Sequence, residues 1–215
     1  MSNKLRAGGF TSFTAIDFPG ELAAVVFCQG CPWRCRYCHN GDLLPARAPS
    51  AYDWDQILTF LDSRRGLLDA VVFSGGEPTA QSALEPAIAQ VRDLGFKVGL
   101  HTAGIYPRRL ERLIQSLDWV GLDIKAMPEN YPSITGVDGS GVAPWQCAEL
   151  LAQSSVPLQV RLTRHPSLTT DAELNQIREK LSGIGIEKLE VQRCNSEQAI
   201  DQTLRFLTCK SHPTR

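Results

Sequence analysis

Short runs of apolar and β-branched residues recur along the chain, separated by longer stretches that contain polar positions. Runs that are hydrophobic at nearly every position are typical of strands buried on both faces of a parallel sheet. Six of them predict strands, at residues 23–28, 70–76, 97–102, 119–125, 157–163 and 188–192. Two of the intervening stretches, 53–65 and 171–183, show helical periodicity. The alternation predicts an α/β chain.

The number of strands limits the architecture of this α/β chain. A complete eight-unit barrel typically takes about 250 residues, and the chain has 215. Six units therefore predict either an incomplete (β/α)6 TIM-like barrel of parallel strands or an open doubly wound sheet. No linker, low-complexity tract or separate repeat interrupts the alternation, so we expect a single domain over residues 1–215 with its core at about 20–195.

Polar and glycine-rich residues fall where the predicted strands end. A cysteine cluster follows the first strand, residues 74–77 (Ser-Gly-Gly-Glu) follow the second, Thr102 ends the third, and Asp123 and Lys125 end the fourth. Both architectures bind ligands at the carboxyl ends of their strands. We therefore expect these residues to share one mouth.

Charge and hydropathy exclude several classes of protein. The formal net charge is −1 and the basic residues are scattered, which disfavours a nucleic-acid partner. The first ten residues contain no apolar run of signal-peptide length, and no later stretch approaches the roughly 18 apolar residues of a membrane span. We expect a cytoplasmic protein with no membrane partner.

Four of the seven cysteines lie between Cys28 and Cys38, which favours metal ligation over a disulfide framework. The spacing Cys31-x3-Cys35-x2-Cys38 supplies three thiolates from one compact loop. Three ligands leave one iron of a cluster open to bind and activate a substrate, whereas four protein thiolates suit electron transfer. This motif therefore predicts a chemically active iron–sulfur cluster.

An alternative uses all four cysteines, with Cys28-x2-Cys31 and Cys35-x2-Cys38 forming a structural zinc site or a closed cluster. Cys28 ends an apolar strand and can point away from the loop, which disfavours this arrangement. The three remaining cysteines are widely spaced and are expected to be packing or surface thiols: Cys147, Cys194 and Cys209.

The cysteine loop, with Tyr37 before its last cysteine, and the Gly-Gly-Glu-Pro segment at 75–78 together resemble the radical S-adenosylmethionine superfamily. Four further segments resemble glycyl-radical-enzyme activases: Asp-Phe-Pro-Gly at 17–20, Gln-Gly-Cys at 29–31, Cys-His-Asn at 38–40 and Asp-Ile-Lys at 123–125. The segment 131–136 is similar to the branch that activates anaerobic ribonucleoside-triphosphate reductase.

This resemblance implies a 4Fe–4S cluster held by Cys31, Cys35 and Cys38, with its open iron chelated by the amino and carboxylate groups of S-adenosylmethionine. One electron passed through the cluster then cleaves the cofactor to a 5′-deoxyadenosyl radical, which abstracts hydrogen from a glycine of a partner enzyme. The implied partners are a glycyl-radical enzyme and a reductant such as flavodoxin or ferredoxin. Among glycyl-radical enzymes, the resemblance favours the anaerobic ribonucleotide reductase.

The resemblance also implies which residues contact the cofactor: Tyr37, Asn40, Gly75, Gly76, Glu77, Thr102, Asp123, Lys125 and Arg161. Gly75 and Gly76 would let the backbone approach the methionine moiety. Glu77 could instead stabilise the start of a helix. Asp123 and Lys125 share one face of their strand, either for the cofactor or as a structural ion pair.

One position departs from the family pattern. His101 precedes Thr102 where the best-known relatives carry an aspartate, so the ligand for a cation site built on that aspartate is missing here. A functional histidine and a hydrogen-bonded strand-end histidine are both open for His101. Arg161 and Arg193 end the fifth and sixth strands and could meet a carboxylate or ribose, or pair with acidic neighbours. Two other functions stay open: a radical enzyme acting on a small metabolite, and a non-enzymatic iron–sulfur or zinc module.

Overall fold

The computed structural model describes residues 4–207. Its strands form one sheet in chain order: β1 Ala7–Thr14, β2 Ala23–Cys28, β3 Ala70–Gly75, β4 Lys97–Thr102, β5 Trp119–Asp123, β6 Leu158–Arg164 and β7 Leu189–Arg193. Strands β2 to β7 are parallel. They match the six predicted strands within two residues at each end.

The strand order decides between the two predicted architectures. A doubly wound sheet reverses its order at a switch point, whereas a barrel adds each strand beside the last. The sequential order from β1 to β7 follows the second pattern, and within residues 4–207 β1 and β7 are the two edges of the sheet and do not pair with each other. The prediction of an incomplete TIM-like barrel is confirmed.

Within residues 4–207, six α-helices lie in the connections between the parallel strands, and a seventh follows β7. Their bounds are α1 Trp54–Asp62, α2 Leu84–Asp93, α3 Pro107–Leu113, α4 Tyr131–Thr135, α5 Val142–Ala152, α6 Asp171–Ser182 and α7 Leu204–Leu207. The two predicted helices correspond to α1 and α6, and each begins at a capping side chain. Asp53 accepts from the backbone of Asp55 and Gln56, and Thr170 accepts from that of Glu173.

Alternate residues of the strands belong to two separate apolar clusters. In β2, Ala24, Val26 and Cys28 pack into the large cluster that contains the buried helix residues. Ala23 and Val25 pack instead into a small cluster with Phe18 and Trp119. The outer face of the sheet is thus covered by helices. Its inner face is closed near the amino-terminal ends of the strands by these aromatic side chains.

Strand β1 was not predicted. It pairs antiparallel with β2, and its sequence, AGGFTSFT, lacks a continuous apolar run because this edge strand is only partly buried. A Cβ on Gly8 would lie 2.3 Å from the side-chain oxygen of Gln29. The glycines that obscure the strand pattern therefore allow β1 to pass close to the residues that follow β2.

No helix within residues 4–207 combines the length and the apolar character needed to cross a membrane.

Candidate iron–sulfur and cofactor site

One cavity lies at the carboxyl ends of the parallel strands, where the sequence placed the site. Eleven of the twelve predicted site residues line it: Cys31, Cys35, Cys38, Tyr37, Asn40, Gly75, Gly76, Thr102, Asp123, Lys125 and Arg161. The exception is Glu77. The cavity is also lined by residues that were not predicted as cofactor contacts: Trp33, His39, Leu44, Ser74, His101, Ala103 and Thr163.

The cysteine loop is held from one side by α4. The backbone N–H groups of Arg34 and Arg36 donate to the carbonyl oxygens of Thr135 (3.0 Å) and Ile134 (2.9 Å). The rings of Trp33 and Tyr131 meet edge to face with centroids 5.9 Å apart. This helix, whose sequence was noted only for a family resemblance, therefore supports the loop that carries the thiols.

A second support comes from residues that follow β7. The backbone N–H groups of Ile200 and Asp201 donate to the carbonyl oxygens of Cys38 (3.1 Å) and Arg36 (3.0 Å). The Arg36 Nε also lies 2.6 Å from Asp201 Oδ2. The loop is thus clamped at its last cysteine by a segment distant in sequence.

Cys31, Cys35 and Cys38 face the same cavity, and Cys28 does not. Cys28 lies on the outer face of β2 and is fully buried in the helix-side core. No group of three or more His, Cys, Asp or Glu side chains within residues 4–207 is arranged to hold a single metal ion. A four-cysteine zinc site would need Cys28 beside the other three thiols, so the position of Cys28 on the outer face favours the three-thiolate cluster.

Burial controls the ionisation of these thiols. It raises the pKa of Cys31 to about 12 and raises that of Cys35 above its ordinary value, against the lowering effect of Lys125. Both are therefore protonated at neutral pH in the metal-free chain. Metal ligation requires thiolates, so loading a cluster releases protons.

Gly75 and Gly76 bring the end of β3 against the cysteine loop. A Cβ on Gly75 would lie 2.6 Å from the backbone nitrogen of Cys28, and Gly75 has a φ of +99°. A Cβ on Gly76 would lie 2.4 Å from the carbonyl oxygen of Gly30. The glycines are thus required by the protein's own backbone, in addition to lining the cavity.

Glu77 has a structural environment. Its fully buried carboxylate accepts hydrogen bonds from the backbone and hydroxyl of Thr79, from the Thr102 hydroxyl (2.8 Å) and from the Ala103 N–H (3.0 Å). Burial raises the pKa of this carboxyl group against the effect of these four donors. Glu77 caps the turn Pro78–Ala80 and ties the end of β3 to the end of β4, so its side chain is engaged away from the cavity.

Asp123 and Lys125 lie on the same side of their strand, as the alternation predicted, but their pairing is loose. Lys125 Nζ is 4.0 Å from Asp123 Oδ2, whereas the Nη2 and Nε atoms of Arg161 lie 2.9 and 3.0 Å from Asp123 Oδ1. The Asp–Lys pair weighed from the sequence is therefore present only as the longer of two ion pairs, and Arg161 is the closer partner of Asp123. Register explains this, because Asp123 of β5 is the direct neighbour of Arg161 in β6.

Lys125 is left facing the cavity. Its ammonium lies 5.5 Å from the centre of the Tyr37 ring, and its pKa is raised well above the ordinary value, because the acidic groups around it outweigh the opposing effect of burial; of these groups the Asp123 carboxylate is charged at neutral pH. The buried Tyr37 hydroxyl has no partner at hydrogen-bond geometry among residues 4–207, and its one polar contact is a weak interaction with Lys125. A buried cation and an unpaired hydroxyl at one cavity are chemical features of a site for a polar, anionic ligand.

Comparison with known proteins gives the site a context. The family model described as the Radical SAM superfamily matches residues 25–180, which include the three cysteines and strands β3 to β6. The chain belongs to the Radical SAM superfamily. Radical SAM proteins use a 4Fe–4S cluster and S-adenosylmethionine, and these are the cofactors of this enzyme.

Two curated relatives are similar over most of this radical SAM chain. A protein of Methanocaldococcus jannaschii, provisionally named a glycyl-radical enzyme activating enzyme, is 26% identical over 95% of this chain and 86% of its own. The pyruvate formate-lyase-activating enzyme of Streptococcus mutans is 29% identical over 84% of this chain and 73% of its own.

A solved structure shows the same fold. Streptococcus suis SuiB bound to S-adenosylmethionine superposes with a TM-score of 0.62 at 12% identity, covering 80% of this chain. The matched region spans 40% of the SuiB chain.

The residues present fit the radical SAM cofactors. Three thiols extend from one loop into one cavity, and two glycines leave the adjoining wall without side chains. The unpaired Tyr37 hydroxyl and the Lys125 ammonium face the same space. When bound, the cluster and S-adenosylmethionine supply one-electron chemistry that breaks a carbon–sulfur bond.

Some residues considered from the sequence lie outside the cavity, and some residues of the cavity were not predicted. Arg193 is exposed at the end of β7 and does not line the cavity. Cys147 and Cys194 are buried, in agreement with packing thiols, and Cys209 lies outside the described residues. Thr163 was missed although it alternates with Arg161 along β6, and that alternation could have identified it.

Proposed function

We propose that this radical SAM enzyme is an activase that abstracts a hydrogen atom from a backbone glycine of a partner glycyl-radical enzyme. One observation carries the proposal: relatives that align with most of the chain are named activating enzymes, the two described above among them. In the overall reaction the reductant supplies one electron. One hydrogen atom moves from the glycine Cα to the 5′-carbon of S-adenosylmethionine, and the products are methionine, 5′-deoxyadenosine and a glycyl radical.

The residues of the cavity divide the binding tasks. Cys31, Cys35 and Cys38 ligate the cluster, and the wall formed by Gly75 and Gly76 takes the methionine moiety. The remaining proposed cofactor contacts are Tyr37, Asn40, Thr102, Asp123, Lys125 and Arg161. Of these, Lys125 has the charge and position to bind the cofactor carboxylate.

An open side of the barrel supports a macromolecular substrate. In the part of the chain that the structure describes, β1 and β7 do not pair with each other, and four of the five β7 residues are exposed. An extended segment of a partner chain can therefore reach the inner face of the sheet from this side. A substrate glycine has no side chain, so it can approach the cavity closely.

The proposed partner is the anaerobic ribonucleotide reductase, with flavodoxin or ferredoxin as the reductant, and the proposed location is the cytoplasm. The support for this narrower choice is the resemblance of residues 131–136 to the corresponding activases. The whole chain, residues 1–215, is proposed to act as one radical SAM domain.

The test is electron paramagnetic resonance of the reconstituted enzyme mixed anaerobically with S-adenosylmethionine, a reductant and a candidate partner. We expect the doublet of a glycyl radical with the anaerobic ribonucleotide reductase and none when Cys35→Ser replaces the wild-type chain. A doublet with pyruvate formate-lyase alone would overturn the choice of partner and leave the activase function standing.

Absence of a doublet from every glycyl-radical enzyme tried, together with cofactor cleavage stimulated by a small metabolite, would replace the activase by a metabolite-modifying radical enzyme. Failure to bind S-adenosylmethionine at all would leave an iron–sulfur or zinc module.

A further inference from the structure

The segment that follows β7 forms a strap, residues 194–204, which leaves the carboxyl end of the sheet and returns to it. At its start, the backbone N–H of Cys194 donates to the carbonyl oxygen of Arg164, in β6, at 2.9 Å. At its end, Leu204 lies against His165, the residue that follows β6. The middle of the strap contacts the cysteine loop, which follows β2 near the other edge of the sheet. The strap therefore joins the end of β6 to the loop that carries the thiols.

The contacts of the strap reach a cluster ligand. The N–H of Ile200 donates to the carbonyl oxygen of Cys38, as described above, and the Ile200 side chain packs beside Gly41, where a Cβ would lie 3.1 Å from Ile200 Cγ2. The hydrogen bonds from α4 reach only Arg34 and Arg36. Among the backbone hydrogen bonds printed for residues 4–207, the one that Cys38 receives from outside its loop thus comes from the strap.

The ring of His165 is held at both nitrogens, and the residue is only 1% exposed. The backbone N–H of Ser167 donates to Nδ1 at 3.2 Å, and the Ser167 hydroxyl lies 2.7 Å from the same atom. Nδ1 is therefore an acceptor, and the ring proton lies on Nε2. Nε2 in turn lies 3.2 Å from the carbonyl oxygen of Leu204, which can only accept. The contacts at the two nitrogens agree on one tautomer.

The hydrogen bond between His165 and Leu204 lies in a buried part of the molecule. Leu204 is fully buried, and the side chains of Cys194, Ala199 and Leu204 all belong to the large apolar cluster on the outer face of the sheet. A side chain at position 165 that cannot donate would remove this hydrogen bond, and water can replace it only when the end of the strap opens. Loss of the donor therefore favours the open strap.

We propose that His165 is a positioning residue for the iron–sulfur cluster: by donating from Nε2 to Leu204 it keeps the strap closed, and the closed strap holds Cys38 in place as a ligand. His165 acts through the backbone of the strap and does not contact the cavity. The inference concerns how the cluster is held, so it does not depend on which glycyl-radical enzyme is activated.

The test compares two substitutions at position 165 in cluster-loaded protein. His165→Gln keeps a side-chain amide that can donate at the position of Nε2, whereas His165→Phe retains a ring of similar size that cannot donate. Val91→Ala controls for a general loss of stability. Val91 is fully buried and belongs to α2, which connects β3 to β4.

Hydrogen exchange measures the strap directly. The amides of Ile200 and Asp201 should exchange about tenfold faster in His165→Phe than in wild type, and within about threefold of wild type in His165→Gln and Val91→Ala. Equal exchange in wild type and His165→Phe would overturn the proposal. Equal acceleration in His165→Gln and His165→Phe would also overturn it, because packing of the ring, and not its hydrogen bond, would then hold the strap.

Release of iron to a chelator, followed anaerobically, measures the effect on the cluster. Loaded His165→Phe should release iron about fivefold faster than wild type or more, whereas His165→Gln and Val91→Ala should stay within about twofold of wild type. Equal rates of iron release from His165→Phe and Val91→Ala would overturn the proposal, because the strap would then have no specific effect on the cluster.

The wild-type protein supplies the decisive measurements if His165→Phe fails to fold. Loading the cluster should slow exchange of the Ile200 and Asp201 amides, because the strap and the loaded loop stabilise each other reciprocally. Histidine-selective ¹⁵N spectra, assigned with His165→Gln, should show the proton on Nε2. Exchange that loading does not change, or an Nε2 without a proton, would overturn the proposal. None of these results requires a glycyl radical, so this inference can fail while the activase function stands.

Discussion

The backbones of Gly76 and Gly30 lie so close together that a Cβ on Gly76 would sit 2.4 Å from the Gly30 carbonyl oxygen. The neighbouring Glu77 N–H donates to that same oxygen at 2.9 Å. The wall of the cavity and the loop that carries the thiols are therefore joined through their backbones. The fold positions the two halves of the cofactor site as one unit.

Gly76→Ala should consequently destabilise the protein by about 1–3 kcal/mol, because the obstructing atoms are backbone and cannot turn aside. Gly183→Ala is the matched control, since Gly183 has a helical φ of −60° and a Cβ there would meet nothing closer than 3.4 Å. Urea unfolding measures both. Equal stability of the two variants would contradict the close approach.

Iron content should separate the three cavity cysteines from Cys28. The variants Cys31→Ser, Cys35→Ser and Cys38→Ser should each retain less iron and sulfide after anaerobic reconstitution, because each thiolate binds a separate iron. Cys28→Ala removes only a buried sulfur on the outer face of β2 and should retain the wild-type iron content. An equal loss of iron from Cys28→Ala and from the three serine variants would support a site that uses all four cysteines.

Glu77→Gln should cost about 1–3 kcal/mol of stability, because the amide group places a donor opposite backbone and hydroxyl donors in a fully buried position. Affinity for S-adenosylmethionine in the folded variant should stay close to wild type. Glu85→Gln, at an exposed position 3.9 Å from Arg112, controls for loss of charge. A large loss of affinity without loss of stability would make Glu77 a cofactor ligand.

Lys125→Met should weaken S-adenosylmethionine binding about tenfold or more while iron content is unchanged, because it removes a buried charge and preserves much of the side-chain volume. Lys97→Met is the control, since Lys97 is half exposed and pairs with Glu21 at the other end of the sheet. Equal affinities of the two variants for S-adenosylmethionine would show that Lys125 does not bind the cofactor.

Asp201 should make the attachment of the cysteine loop to the segment after β7 sensitive to acid. Hydrogen bonds from Thr203 and Arg36 lower the pKa of Asp201 to about 2. The native state thus binds this proton less readily than the unfolded chain, and the stabilisation is present above the ordinary aspartate pKa of about 4 and is lost as the pH falls towards about 2.

Asp201→Asn tests this clamp. In urea unfolding of the metal-free chain it should be less stable than wild type at neutral pH, and the difference should shrink as the pH falls through that window. At neutral pH the loaded variant should also release iron to a chelator faster. A difference in stability that is independent of pH would show that the charge of Asp201 does not hold the loop.

Local patterns predicted the parallel strands and most of the cavity, because strands buried on both faces leave continuous apolar runs and their ends share one edge of the sheet. Side-chain partners could not be predicted in the same way. Asp123 meets Arg161, and Arg161 meets His101 across Gly121, only because of the register between β4, β5 and β6. Edge strand β1 was missed because its glycines serve close packing and interrupt the apolar pattern.

Transfer of deuterium tests the activase function most directly. The anaerobic ribonucleotide reductase is prepared with glycine deuterated at Cα and is mixed with the loaded enzyme, S-adenosylmethionine and a reductant. Mass spectrometry should find one deuterium in the 5′-deoxyadenosine, in proportion to the glycyl radical formed. Unlabelled 5′-deoxyadenosine in the presence of a glycyl radical would contradict direct abstraction from the glycine of the partner.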